Sequence, residues 1–158
     1  MRGHCPVAGL KSGLHELEGF KVLALDIPYK GGRTFGFRVS DGMASMAYLS
    51  DHSPATLGPG PDGLSEYHHA AVTLAKEVDL LVHDAQHTAA EFESKQSFGH
   101  SAVEYAVGLA KEAGARRLLL FHHDPPHTDD ALDGIVAAQR GAPVQVEAAF
   151  EGMTIDLR

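Results

Sequence analysis

Two short runs of wholly apolar residues constrain the fold of this chain more than any other feature. Residues 80–82 read Leu-Leu-Val and residues 118–121 read Leu-Leu-Leu-Phe, and polar residues follow each run at once. Short continuous apolar runs are typical of strands that lie inside a sheet and are covered on both faces. We therefore expect two buried strands, one ending at His83-Asp84 and the other at His122.

The patterns before and between these runs predict a β-meander followed by alternating helices and strands. Gly31-Gly32 and Asp41-Gly42 are turn pairs that separate alternating apolar segments. The predicted strands of the meander are 20–27, 34–40 and 44–50. The predicted helices are 65–77, a helix from Ser101 to Gly114 and a helix that starts at Thr128, and two weaker strands are 144–150 and 153–157.

This order predicts an α/β fold, with a mixed β-sheet and helices on one face of it. We expect one domain over residues 1–158, in which residues 1–19 form an irregular lead-in. The helix after His100 starts with Ser101-Ala-Val-Glu104, which predicts a capping box.

Composition limits the classes of partner. Apolar residues make up 44% of the 158 residues, which suffices for a core, and the formal net charge is −8. Nucleic-acid binding through a broad basic surface is therefore not expected, whereas a small phosphate ester held at a metal ion remains compatible with an acidic surface. Cys5 has no second cysteine to pair with, and no long apolar segment or signal-peptide pattern is present, so we expect a soluble, cytoplasmic protein without a membrane association.

Eleven histidines raise the expectation of a metal site, because imidazole is the commonest protein ligand for metals. Asp51, Asp84 and His122 each follow an apolar strand, and loops at strand ends commonly carry functional groups. The alternative for each is a solvated turn residue, which for Asp51 alone is the better interpretation. His100 precedes a helix start, where it could contact an anion or serve equally well as a surface histidine.

Neighbouring histidines divide between the two sides of their elements. His122 and His123 are adjacent at a strand end, so only one of them can face a given site. The pattern offers no local context for His4, His15 or His127.

Five segments in this order resemble the metallo-β-lactamase superfamily, in particular the branch of ribonuclease Z and the cyclic-phosphate phosphodiesterases. The segments are Gly-Gly-Arg-Thr-Phe-Gly-Phe-Arg-Val at 31–39, Ala-Tyr-Leu-Ser-Asp at 47–51, Asp-Leu-Leu-Val-His-Asp-Ala-Gln at 79–86, Phe-Gly-His-Ser at 98–101 and Leu-Leu-Leu-Phe-His-His-Asp-Pro at 118–125. Each segment is unspecific alone, and together they match the C-terminal half of such a hydrolase over roughly residues 20–157.

The resemblance implies roles for three residues. Asp51 would bridge two metal ions and His122 would ligate the second of them, so both are candidate metal ligands. His100 would contact the scissile phosphate and assist the leaving group, which makes His100 and Asp51 the candidate catalytic residues. The implied cofactor is Zn²⁺, two ions in a complete site, which activate water and clamp the phosphoryl oxygens.

The chain departs from the family at the other ligands. No two histidines have the H-x-H spacing, so the His-x-His-x-Asp-His motif is absent, and Tyr29 or Lys30 stands where the family has a further histidine. What remains is Asp51 and His122 with neighbours such as His52 and His123, whereas a catalytic zinc site normally has three protein ligands.

One half of the family's four-layer αβ/βα sandwich would leave an apolar sheet face exposed, and such a face favours association with a partner. We therefore expect either a homodimer or association with a complementary N-terminal half that supplies the missing ligands.

Three functions follow as hypotheses. The first is a metal-dependent hydrolase of a small phosphodiester or similar ester, with the site incomplete in this chain. The second is a catalytically inactive half-fold that associates with itself or with a partner chain, which Tyr29 favours. The third is a small lactone or ester hydrolase of the same superfamily, which the Gly-His-Ser segment disfavours.

Overall fold

The computed structural model describes residues 9–58, 60 and 63–157. These residues form one seven-stranded sheet in which the strands lie in sequence order. The strands are β1 Gly13–Leu17, β2 Phe20–Ile27, β3 Thr34–Ser40, β4 Ser45–Leu49, β5 Leu80–Asp84, β6 Arg117–Phe121 and β7 Gln145–Ala148. The helices are α1 His69–Ala75, α2 Ala89–Lys95, α3 Val103–Ala113 and α4 Asp129–Ala138, with 3-10 turns at Pro54–Leu57 and Gln96–Phe98.

The sheet is mixed, as the sequence predicts. Strands β1 to β4 pair antiparallel through short turns, and β4 to β7 pair parallel through helical crossovers. The predicted bounds of β2 and β3 agree with the structure residue for residue. This agreement follows from local causes, because a hairpin needs only alternating side chains and a turn pair to define its register.

Side chains alternate between two layers. In β5 and β6, Leu81, Leu118 and Leu120 face the larger core, which residues of all four helices complete. Leu80, Val82 and Leu119 face the opposite side of the sheet, where residues 149–157 cover them. The α/β class and the placement of helices on one face are thereby confirmed.

Four predictions about individual segments are wrong. Residues 13–17 of the predicted lead-in form β1, because all five pair with residues 20–24 of β2. Residues 1–8, which include His4 and Cys5, lie outside the described part of the chain. The helix predicted over 65–77 is shorter, beginning at His69. Residues 153–157 are not a strand, because they lie across the sheet with Met153, Ile155 and Leu157 packed on it.

The fourth wrong prediction is the capping box at Ser101. The hydroxyl of Ser101 donates to the carbonyl of His52, and the carboxylate of Glu104 accepts from the backbone N–H of Ala89. Both side chains therefore join neighbouring segments instead of capping α3. The box is at α2, where the carboxylate of Glu91 accepts from the backbone N–H of Thr88 at 2.9 Å.

Two other features complete the architecture. The start of the last helix is as predicted, since the hydroxyl of Thr128 accepts from the N–H of Ala131. Gly36 lies where β3 touches the helices, and a Cβ there would be 2.7 Å from Leu74 Cδ1 and 3.3 Å from Leu49 Cγ. No helix among the described residues is long and apolar enough to cross a membrane.

Candidate metal centre

Three neighbouring parallel strands end at the same edge of the sheet and gather polar residues there. Asp51 lies two residues beyond β4, Asp84 is the last residue of β5 and His122 follows β6 directly. Since β4, β5 and β6 pair side by side in parallel, their carboxyl ends bring these residues together. The edge of the sheet therefore explains why residues far apart in sequence share one site.

The backbone turns sharply at two of these residues. Asp51 has φ of 52° and His122 has φ of 62°, in the left-handed region. Aspartate and histidine adopt this region more readily than most residues other than glycine. The turn directs each side chain towards the shared edge immediately after its strand ends.

Asp51, His100 and His122 form one cluster. One potential ligand atom of each lies within 4.8 Å of those of the other two. His122 Nδ1 is 3.9 Å from Asp51 Oδ1, and the rings of His100 and His122 stack with centroids 4.5 Å apart. The side chains of Asp51 and His122 are 42% and 31% exposed, so the cluster opens to solvent on one side. The structure thus brings together all three residues that the sequence predicts for the site.

Asp84 has a different position from the other two strand-end residues. It is fully buried, and its carboxylate accepts hydrogen bonds from the backbone N–H groups of His52, Gln86 and Ser101. It also accepts from His100 Nδ1 at 2.7 Å. This pairing raises the pKa of His100, against the opposing effect of burial, and leaves only Nε2 of His100 free to face the cluster.

A buried histidine pair holds the loop that carries Asp51. His83 Nδ1 donates to the backbone carbonyl of Asp84 at 2.5 Å, so its Nε2 accepts from His52 Nδ1 at 2.9 Å. Burial lowers the pKa of both rings, which are therefore neutral. His52 and His123, considered as supplementary ligands, point elsewhere: His52 lies in this pair, and His123 Nε2 is 3.0 Å from the carbonyl of Ala149.

Tyr29 borders the cluster. Its ring meets that of His100 edge to face at 6.0 Å between centroids. Tyr29, one of the two positions at which the resemblance implies a histidine, is therefore beside the cluster and carries a phenol.

Two features of the structure have no signal in the sequence, a serine beside the candidate ligands and a second group of ligand-type side chains. Ser50 Oγ donates to Asp51 Oδ2 at 3.3 Å and lies 3.4 Å from His122 Nδ1, so it links the two candidate ligands. No sequence pattern singles out a serine at the end of a strand. A second group of potential ligands, Glu91, Asp124 and His127, lies on α2 and in the loop after β6. His127 carries no local signal, because the cluster depends on tertiary contacts.

Known proteins resemble this chain in sequence and in structure. No family model matches the sequence. A protein named ribonuclease Z from Myxococcus xanthus is 39% identical over 88 residues, which is 56% of this chain and 29% of that protein. The metallo-beta-lactamase fold protein YhfI from Bacillus subtilis superposes with a TM-score of 0.72 at 23% identity, over 93% of this chain and 54% of YhfI.

The chain has one half of the metallo-β-lactamase fold. The structure of the short form of human tRNase Z also superposes on this chain, with a TM-score of 0.66 and 24% identity. The superposition covers 91% of this chain and 46% of that structure. The described chain therefore spans about half the length of these metallo-β-lactamase fold structures. The resemblance to a C-terminal half that the sequence motifs indicate is confirmed.

The chemistry of the donor set fits a metal ion. A carboxylate and an imidazole, Asp51 and His122, are ordinary zinc ligands and lie close enough to share one ion. His100 is less suited as a ligand, because its Asp84 hydrogen bond favours the protonated ring, which has no free lone pair. Within the described residues the set is thus two ligands and one neighbouring imidazolium.

Proposed function

We propose that this chain carries the C-terminal part of the active site of a metal-dependent phosphodiesterase. The observation that carries the proposal is the convergence of Asp51, His100 and His122 at one edge of the sheet, with Asp84 buried behind His100. Relatives named ribonuclease Z support phosphodiester hydrolysis as the reaction. Asp51 and His122 would hold the metal, and Zn²⁺ is the ion that best suits a carboxylate and an imidazole.

A zinc ion at this position would act as a Lewis acid on a phosphoryl oxygen and lower the pKa of a water molecule. Asp51 and His122 would hold the ion at the open side of the cluster. Ser50 orients both through its hydroxyl. The half-exposed position of Asp51 leaves room for a substrate next to the ion.

His100 acts on the leaving group. Its Nδ1–H is fixed by Asp84, so Nε2 points to the open side and carries the transferable proton. The raised pKa keeps this proton on the ring at a pH where a free histidine would lose it. The imidazolium therefore contacts the phosphate anion and protonates the departing oxygen. An ester or lactone substrate would gain less from a cation at this position.

The substrate we propose is a phosphodiester, in which the reactive group is small. The relative named ribonuclease Z favours an RNA phosphodiester as the larger context. The net charge of −8 indicates that this chain itself supplies little of the attraction to a polyanion. Recognition of a long RNA would therefore depend on surfaces outside the described residues.

The missing ligands would come from a partner, either a complementary N-terminal half or a second copy of this chain. Tyr29 supports this requirement, because a phenol replaces the histidine of the family beside His100. The same observation favours the second candidate, an inactive half-fold that only associates. Residues 149–157 already cover the sheet face over β5 and β6, so the partner surface we propose includes the meander, where Phe20 and Met43 are exposed.

Zinc content and hydrolysis of bis(p-nitrophenyl) phosphate test the proposed function together. We expect Asp51→Ala combined with His122→Ala to lower bound zinc by about one ion per chain, and to abolish any hydrolysis that the parent shows. His69→Ala is the matched control, because His69 is exposed on α1 away from the cluster. Equal zinc and equal hydrolysis in the parent and the double variant would refute the proposal. Zinc lost from the double variant, with no hydrolysis by the parent, would mean that the missing ligands have to be supplied. Hydrolysis that stays absent after a complementary N-terminal half is added would then favour the inactive half-fold.

A further inference from the structure

A second cluster of ligand-type side chains lies apart from Asp51 and His122. Glu91 belongs to α2, and Asp124 and His127 belong to the loop between β6 and α4. One potential ligand atom of each lies within 4.8 Å of those of the other two. The cluster joins α2 to the loop that starts at His122.

The distances within this cluster suit a single small cation. His127 Nε2 is 3.2 Å from Glu91 Oε1, and His87 Nδ1 is 3.6 Å from Asp124 Oδ2. Ligand atoms that surround a tetrahedral zinc ion at about 2.0 to 2.1 Å are separated from one another by about 3.3 Å. The His127–Glu91 pair therefore matches one edge of a zinc tetrahedron, and His87 lies next to the cluster beside Asp124.

His87 provides an independent sign of a ligand. Its side chain is fully buried, and neither of its ring nitrogens has a hydrogen-bond partner among the described residues. Its Nδ1 is directed towards Asp124, but 3.6 Å is too long for a hydrogen bond. A buried imidazole without hydrogen-bond partners destabilises the fold, and a cation bound beside Asp124 would lie next to this ring. Burial lowers the pKa of His87, so its ring is neutral and has a lone pair to offer.

The carboxylates of Glu91 and Asp124 already form ion pairs with Lys95. Lys95 Nζ is 2.7 Å from Asp124 Oδ2 and 3.2 Å from Glu91 Oε1. One ammonium against two carboxylates leaves a net negative charge, which a divalent ion would neutralise. The Lys95 side chain is 26% exposed, so it can turn to solvent and leave the position between the carboxylates. Although burial raises it, hydrogen bonds from Thr88, His127 and Lys95 lower the pKa of Glu91 to about 2, so Glu91 is a ready anionic ligand.

We propose that Glu91, Asp124 and His127 form a structural site for a divalent transition-metal ion such as Zn²⁺, in competition with the ammonium of Lys95. The unpartnered ring of His87 lies next to this site, beside Asp124. The ion would fasten α2 to the loop after β6. This site is separate from the candidate metal centre, and neither proposal depends on the other.

Zinc binding to tag-free protein in which Asp51→Ala and His122→Ala remove the first site tests this proposal. The readouts are zinc per chain by mass spectrometry after dialysis and the visible absorption of the cobalt-substituted protein. We expect one ion per chain with tetrahedral cobalt bands. Further substitution of Glu91→Gln and His127→Ala should reduce binding to less than a tenth of an ion per chain.

Two single substitutions sharpen the test without removing a buried ligand. Lys95→Ala should raise zinc affinity at least about tenfold, because it removes the competing charge. Glu93→Gln, an exposed glutamate of the same helix, should leave affinity unchanged. The proposal is overturned if the Asp51, His122 double variant binds no zinc, if Glu93→Gln weakens binding as much as the combined Glu91→Gln and His127→Ala change, or if Lys95→Ala leaves affinity unchanged.

Discussion

At the scale of single residues, the candidate centre depends on one buried carboxylate more than on its exposed ligands. Asp84 accepts from three backbone N–H groups and from His100, so it joins the loops after β4 and β5 to the start of α3. The sequence singles out Asp84 as a strand-end residue with ligand chemistry. Its role as the partner of His100 depends on the turn that brings residue 100 beside β5, which no local pattern encodes.

Asp84→Asn should lower the pKa of His100, because an amide cannot stabilise the imidazolium as a carboxylate does. NMR titration of the histidine resonances measures the pKa of His100 in the parent and in the variant, with His15 as an internal reference. A midpoint for His100 that stays the same in the variant would contradict the assignment.

The raised pKa of His100 also predicts how stability depends on pH. A histidine whose pKa is higher in the folded state stabilises the fold fully below its unfolded pKa, near 6.5. That contribution is lost as the pH rises through the folded pKa of His100. Urea unfolding across this range should show the loss in the parent and a smaller loss in Asp84→Asn.

At the scale of elements, local patterns define the strands and tertiary contacts define the helix ends. The bounds of β2 and β3 follow from alternation and turn pairs. Ser101 and Glu104 have the spacing of a capping box, yet His52 and Ala89 engage them instead. A pattern of four residues cannot reveal that a neighbouring segment offers a better hydrogen-bond partner.

Gly36→Ala should destabilise the protein by about 1–3 kcal/mol, because the added methyl would overlap Leu74 and Leu49 in a packed core. Gly134→Ala is the matched control: no atom lies within 4 Å of a Cβ there, and the site is helical. The control should be neutral or stabilising by up to about 1 kcal/mol. Thermal unfolding measures the stability of both variants. Equal changes in stability would contradict the close packing of β3 against α1.

At the scale of the whole molecule, the fold class follows from sequence, and the resemblance names the three residues that the structure brings together. The cover that residues 149–157 give to one face of the sheet does not follow from sequence. The apolar runs at β5 and β6 correctly predict buried strands. Residues 153–157 alternate like a strand and instead lie across the sheet, because period-two patterns do not distinguish pairing from packing.

Association is the prediction that belongs to this scale. We expect a homodimer in size-exclusion chromatography with light scattering, because half of a two-sheet fold leaves apolar side chains such as Phe20 for a partner. Phe20→Ser should weaken the dimer, whereas Phe98→Ser, on another exposed site, should not. A monomer at high concentration would leave the complementary half as the partner.

The order of the strands has a consequence for the folding route. Residues 13–49 form a meander with short loops, whereas β5, β6 and β7 are each reached through a longer crossover, residues 50–79, 85–116 and 122–144. Contacts between residues distant in sequence form slowly. Asp51 lies at the boundary between these regions and meets His122 across 71 positions of the chain. The meander can therefore be complete while the candidate centre does not yet exist, and the cluster is assembled only when the last parallel strands have docked.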